Sequence, residues 1–228
     1  MTRDSDTFTR RRREWLKRAL LGGAIAPLLL RDVLAARKQS SGVVMSKGEV
    51  LINGSAARTG ALVTPGDRVV TASGGLAVFV VGKDAFLLRE NSELLTAGSG
   101  ALIASLRLVT GKLLSVFGRG QRSVATATAT IGIRGTGIYL EAEAERTYVC
   151  TCYGVADLQA SNMPAARETV KTSHHEAPRY VYAHGEMPIK MIEAAPVKNH
   201  SDAELIMLEA LVGREPPFVG SGKQYQDY

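Results

Sequence analysis

The chain has 228 residues, 45% of them hydrophobic, and its 28 basic against 22 acidic side chains give a formal net charge of +6. That length can bury one good core or two small ones, and the apolar content excludes an intrinsically disordered chain. The basic excess would ordinarily point to a nucleic-acid partner. Residues 1–36, however, hold 8 of the basic groups and 4 of the acidic ones, so the remainder carries a net of only +2 and no nucleic acid is expected as a ligand.

Four consecutive arginines, Arg10 to Arg13, precede Glu14, Trp15, Leu16 and Lys17, and an apolar stretch at 19–30 follows, interrupted by Gly22, Gly23 and Pro27. This order resembles a twin-arginine export signal, carried by Arg12, Arg13, Trp15, Leu16 and Lys17, with Trp15 where Phe is commoner and Arg11 where Ser or Thr is usual. The apolar stretch is shorter than the roughly 20 residues a helix needs to cross a bilayer. Val33-Leu34-Ala35 and Leu34-Ala35-Ala36 are only fair cleavage sites, so removal of the leader and its retention as a membrane anchor both stay open. Residues 1–36 are therefore read as an export signal or anchor. The resemblance implies the twin-arginine translocation machinery as a partner during export and a final location in the periplasm or on the outer face of the cytoplasmic membrane. Because that route carries folded proteins, often ones that have taken up a cofactor, it also raises the expectation of a bound metal or cofactor.

From about residue 43 the texture changes to short alternating apolar runs broken by glycine-containing turns, as a sheet of short strands requires. Glu49-Val50-Leu51-Ile52 runs into Asn53-Gly54, a dipeptide suited to a tight hairpin, and Pro65-Gly66 makes a second turn. Strands are expected at 69–71, 76–81, 85–88, 106–110, 112–117 and 124–131. Gly118-Arg119-Gly120-Gln121-Arg122 reads as a solvated hairpin tip. Thr126 to Thr130 alternates hydroxyl and small apolar groups and reads as a half-buried strand.

The order and spacing of these pieces resemble the FecR-like domain, a periplasmic β-domain known from regulators of iron-siderophore uptake. The matching residues are Gly48 to Gly54, Gly60, Pro65-Gly66-Asp67, Val70-Thr71, Asn91-Ser92, Leu108 to Gly111, Gly132 to Thr136 and Tyr148 to Val155, and the likeness covers about 43–180. Ala127 stands where the family often has Pro, and Gly137 where an aromatic usually follows. The resemblance implies a mainly β fold, a β-sandwich or β-roll of short strands, and an extracytoplasmic sensing or binding role toward an envelope protein or cell-wall ligand. The iron regulators carry a cytoplasmic domain ahead of their membrane segment, for which the leader here leaves no room, so their signalling across the membrane is not expected.

Both cysteines and all four histidines lie in the last 79 residues: Cys150, Cys152, His174, His175, His184 and His200. On a strand at 147–152 the two cysteines, two residues apart, share a face. A neighbouring strand at 169–174 would bring one of His174 and His175 to that face and turn the other away. Cys150, Cys152, His174 and His175 are thus candidate ligands for zinc or copper, since two thiolates with imidazole make a soft donor set. The alternative has the thiols as small buried apolar groups. A disulfide between them is disfavoured, because residues two apart in a strand sit near the upper Cα separation for a bridge.

Ser201-Asp202-Ala203-Glu204 reads as a capping box opening a helix near 202–212, with Leu205, Leu208, Leu211 and Val212 on its apolar side and Gly213 as its stop. The chain then divides into a leader at 1–36, a β-domain at 43–180 and a C-terminal extension at 181–228. Nucleophile elbow, phosphate loop and His-Glu-x-x-His pair are all missing from the sequence, and Gly132 to Gly137 sits between strand patterns instead of opening a helix. Glu141, Glu143 and Glu145 read as a solvated acidic edge. The expected function is non-catalytic binding or sensing, with a metal-binding or redox-active envelope protein as the second reading.

Overall fold

The structure, a computed structural model, describes residues 41–184 and 190–221, so the leader and its twin-arginine motif lie outside the described residues. The described residues are mainly β, with one short helix. In chain order the strands are β1 (Gly42–Lys47), β2 (Val50–Ile52), β3 (Ser55–Ala56), β4 (Arg68–Thr71), β5 (Leu76–Val81), β6 (Asp84–Leu88), β7 (Ser92–Ser99) and β8 (Leu102–Val116). They continue with β9 (Gln121–Ala125), β10 (Ala129–Ala142), β11 (Arg146–Ala160), β12 (Arg167–Thr172), β13 (Arg179–Tyr182) and β14 (Ile192–Ala194), before helix α1 (Asp202–Leu211). The sheet thus runs past residue 180, through β13 and β14.

Three long strands organise the sheet, and each changes neighbours part of the way along. β8 pairs with β7 over its first part and with β6 and β10 over its last, from residue 111 on. β10 pairs with β9 up to Arg134 and with β8 from Gly137. β11 follows β10 along most of its length, while its other edge takes β13 at 146–149 and β12 at 154–159. Glycines stand at the change-overs. Gly111 has φ +91°, and a Cβ there would lie 2.1 Å from Ser92 Oγ; at Gly154, φ +96°, a Cβ would lie 2.8 Å from Thr136 Oγ1. Any side chain would be strained at both and would push the neighbouring strand away.

Alternation sorts the apolar residues onto two faces. One face closes around a core that draws Val69, Phe79, Phe86, Leu94, Leu108, Leu113, Val124, Ile131, Ile138, Val149, Leu158 and Val181 from strands throughout the chain. The opposite face, with Val78, Val80, Leu87, Leu114, Val116, Tyr139, Tyr148, Cys150 and Cys152, is covered by Leu205, Met207, Leu208 and Leu211 of α1 and by Phe218. The expected capping box is present: Ser201 Oγ accepts from the Glu204 N–H, and the Glu204 carboxylate accepts from the Ser201 N–H at 3.0 Å. Arg89 ties the helix start to the sheet, donating to the Glu204 carboxylate at 2.8 Å and to the Asn199 carbonyl at 3.0 Å.

Several expectations are corrected. Residues 124–131 are not one strand: Thr126 Oγ1 accepts from the N–H groups of Thr128 and Ala129, which turns the chain into a β9–β10 hairpin. Gly118 to Arg122 is not a hairpin tip, because β9 runs parallel to β8. That segment is pinned to buried Asp84, which accepts from the Gly118 N–H at 2.8 Å and from Arg122 Nε at 3.1 Å. Gly132 to Gly137 lies inside the single strand β10, where a register shift between Arg134 and Gly137 absorbs the irregularity.

Candidate functional site

The two edge partners of β11 leave a gap. β12 pairs as far as Gly154 and β13 resumes only at Val149. Opposite residues 150–153, on the outer face, the chain arches through a turn at 173–176 in which the Glu176 carboxylate accepts from the N–H groups of Ser173 and His174. The His175 N–H donates to the Cys152 carbonyl at 2.9 Å, which holds the arch against the strand.

Cys150 and Cys152 both project to the outer face, are fully buried and are free thiols. His175 lies over them, with Nδ1 3.5 Å from the Cys150 sulfur. The expectation that alternation turns the other histidine away does not hold. β12 ends at Thr172, and His175 takes a left-handed φ of 58°, so the two rings lie on the same side with centroids 4.9 Å apart. His174 reaches the cluster one layer out: its Nε2 lies 2.9 Å from the Asp202 carboxylate.

The fourth member was missed by the sequence reading. His200 immediately precedes the helix cap and stacks on Tyr139, with ring centroids 4.6 Å apart. Its Nε2 is 2.9 Å from His175 Nδ1. Cys150, Cys152, His175 and His200, all buried, offer donor atoms within 4.8 Å of one another. Asp202, the first residue of α1, accepts from His175 Nε2 at 3.0 Å, and the Lys198 carbonyl accepts from His200 Nδ1 at 2.7 Å. His184 is exposed.

Glu141 sets the approach of the 198–200 segment. It is buried and not on a solvated acidic edge as its spacing with Glu143 and Glu145 suggests; those two are exposed. Its carboxylate takes Lys198 Nζ at 2.5 Å, Asn199 Nδ2 at 2.7 Å and the Tyr139 hydroxyl at 2.8 Å. Burial would raise its pKa, but these donors hold it below the usual carboxylate range.

The electrostatics of the cluster follow from crowding polar groups in a dry place. Burial pushes both thiols up; for Cys150 the hydrogen bonds from Cys152, His175 and His200 reverse the direction, whereas Cys152 stays well above its ordinary value. For His175, burial pulls down, but Asp202 and Cys150 outweigh it and the ring is pushed up to about 9. Asp202, although burial acts to raise it, is held below its ordinary value by His175 and His174. The Asp202 carboxylate at the helix N-terminus is further favoured by the backbone dipole there.

Fold and site together define a mainly β domain with a buried Cys₂His₂ cluster on its outer face. No protein-family model matches the sequence, and no curated protein matches it. Among solved structures, two crystal structures of a candidate anti-sigma factor from Parabacteroides distasonis, at 1.65 and 2.50 Å resolution, are similar, each with a TM-score of 0.46 at 12% identity. The likeness covers 56% of this chain and 58% of that one, so it spans little more than half of the length of either.

Proposed function

We propose that the chain is an exported, non-catalytic FecR-like sensing or binding module that holds a soft transition-metal ion, zinc or copper, in its Cys/His cluster. The observation that carries the metal reading is the convergence of two thiols and two imidazoles to within 4.8 Å in a buried place. Two thiols and two imidazoles make a soft donor set, and one soft ion can be held by all four together. The same burial argues against catalysis, since the four donors are at most 2% exposed and leave no approach for a substrate. The sensing role rests on the FecR-like order of strands and glycines. Working in the periplasm or on the outer face of the cytoplasmic membrane, such a module would meet an envelope protein or a cell-wall ligand.

Metal analysis of protein purified after native export tests the site. Stoichiometric zinc or copper is expected, and its loss in a Cys150→Ser/Cys152→Ser variant; protein that neither carries nor takes up either metal would overturn the metal reading. Export is tested separately by replacing Arg12 and Arg13 with Lys, which should leave the protein in the cytoplasm. Unchanged accumulation outside it would remove the twin-arginine assignment.

A further inference from the structure

Resting on that reading, we infer that the cluster is a closed, four-coordinate site for a divalent zinc-type ion, with His200 as the fourth ligand and with Asp202 and the Lys198 carbonyl as the groups that set the two imidazole tautomers. A backbone carbonyl only accepts, so His200 Nδ1, 2.7 Å from the Lys198 oxygen, must carry a hydrogen. Asp202 likewise accepts from His175 Nε2 at 3.0 Å. The inward nitrogens, His175 Nδ1 and His200 Nε2, face each other at 2.9 Å and share the hydrogen that His175 carries there. Loss of that hydrogen to a metal ion would leave both lone pairs directed at one cation. A proton would satisfy the nitrogens alone; a metal ion at the same point satisfies both nitrogens and both sulfurs.

All four donors lie within 4.8 Å of one another, and two of the separations are near those of a tetrahedral ion. Bonds of about 2.0–2.3 Å to nitrogen and sulfur place tetrahedral donors about 3.3–3.8 Å apart. The Cys150 sulfur stands 3.5 Å from His175 Nδ1, and the two imidazole nitrogens need open only by a few tenths of an ångström from 2.9 Å. Each ligating ring donates its other N–H to a carboxylate or a backbone carbonyl, the arrangement that fixes ring orientation in metal sites.

Charge selects the ion. Two thiolates and a divalent cation sum to zero, whereas copper(I) would leave a negative charge in a dry site already flanked by the Asp202 carboxylate. The other acidic groups near it are matched elsewhere: Glu141 by Lys198, Glu204 by Arg89 and Glu209 by Arg214. An uncompensated buried charge is expensive, so the divalent ion is preferred. With four protein donors and full burial, no coordination position is left for substrate, which is the pattern of a structural zinc site.

Cobalt(II) substitution of the full chain is the test. The expected spectrum has the intense visible bands of tetrahedral cobalt and a sulfur-to-metal charge-transfer band in the near ultraviolet, both displaced by zinc. His200→Ala and His175→Ala should each abolish it, His200→Cys should restore a soft donor and tetrahedral bands, and His174→Ala should leave the spectrum tetrahedral. Far-ultraviolet circular dichroism identifies any variant that fails to fold, and the His200→Cys rescue then decides. Tight copper(I) binding without cobalt or zinc would keep the metal reading and overturn this inference. Metal kept by Cys150→Ser/Cys152→Ser but lost in His174→Ala would overturn it too, moving the ion to the His174, His175 and Asp202 group. Refusal of every metal would overturn both.

Discussion

Phe86→Ala is expected to lower stability by about 3–5 kcal/mol, the range for truncating a fully buried aromatic ring. Phe86 is 0% exposed and stacks on Phe79 with ring centroids 4.9 Å apart, while Phe117 meets it edge-on at 5.8 Å. Its strand β6 is paired on both sides, with β5 and β8. A sheet strand held from both sides cannot move inward to fill the space, so the cavity persists and adds its own cost to the lost transfer energy. Urea denaturation with an unchanged slope would report the loss directly. Leu62→Ala serves as the reference, since Leu62 is 66% exposed and its truncation should change stability by no more than about 0.5 kcal/mol. A loss below about 1 kcal/mol for Phe86→Ala would mean that the sheet repacks far more readily than such doubly paired strands do.

The core strands were legible because their chemistry is local. The run Leu76–Val81 is apolar throughout and strand-forming, and it is β5 with the expected bounds. The capping box at 201–204 is likewise a four-residue pattern, and it starts α1 where it should. The long strands were not legible. Gly111, Gly137 and Gly154 look like breaks in a sequence, yet β8, β10 and β11 run through them, because a glycine also lets a strand bulge and change partners without ending. The threonine run at 126–130 has the period of a strand. Its first hydroxyl captures two backbone N–H groups instead, and no periodicity reveals that choice.

At the site, the shared face of Cys150 and Cys152 follows from strand period alone. The positions of His174 and His175 do not, since the period stops at Thr172 and a left-handed residue resets the direction of the next side chain. His200 is 25 residues beyond His175 and reaches it only because Glu141 draws in Lys198 and Asn199 ahead of the helix. The available signal was the histidine directly before a capping box whose next residue is an aspartate. A helix start supplies fixed positions and a favourable end for a carboxylate, so His200-Ser201-Asp202 could have been read as a candidate ligand beside a carboxylate placed to accept from another imidazole, here His175.

That support gives the second large effect. With zinc in the proposed site, Asp202→Ala should weaken its binding by about 10–100-fold, although the side chain is not one of the four donors, because it is the acceptor that holds the His175 tautomer and ring orientation. The carboxylate is 1% exposed, and removing it leaves the N–H groups of His174 and His175 without the acceptor they now share. Asp202→Asn should lose less, since its carbonyl oxygen can still accept from one ring while its amide opposes the other. Because Asp202 also lies in the first turn of α1, part of any loss could arise from a frayed helix. Ser201→Ala separates the two: it removes the cap hydroxyl and costs about 1 kcal/mol of stability, but leaves both imidazoles with their acceptors. Zinc affinity measured by competition with a chelator should therefore fall in Asp202→Ala and hold in Ser201→Ala. Equal losses in the two variants would show that the helix start acts through folding alone and that Asp202 has no separate hold on the metal.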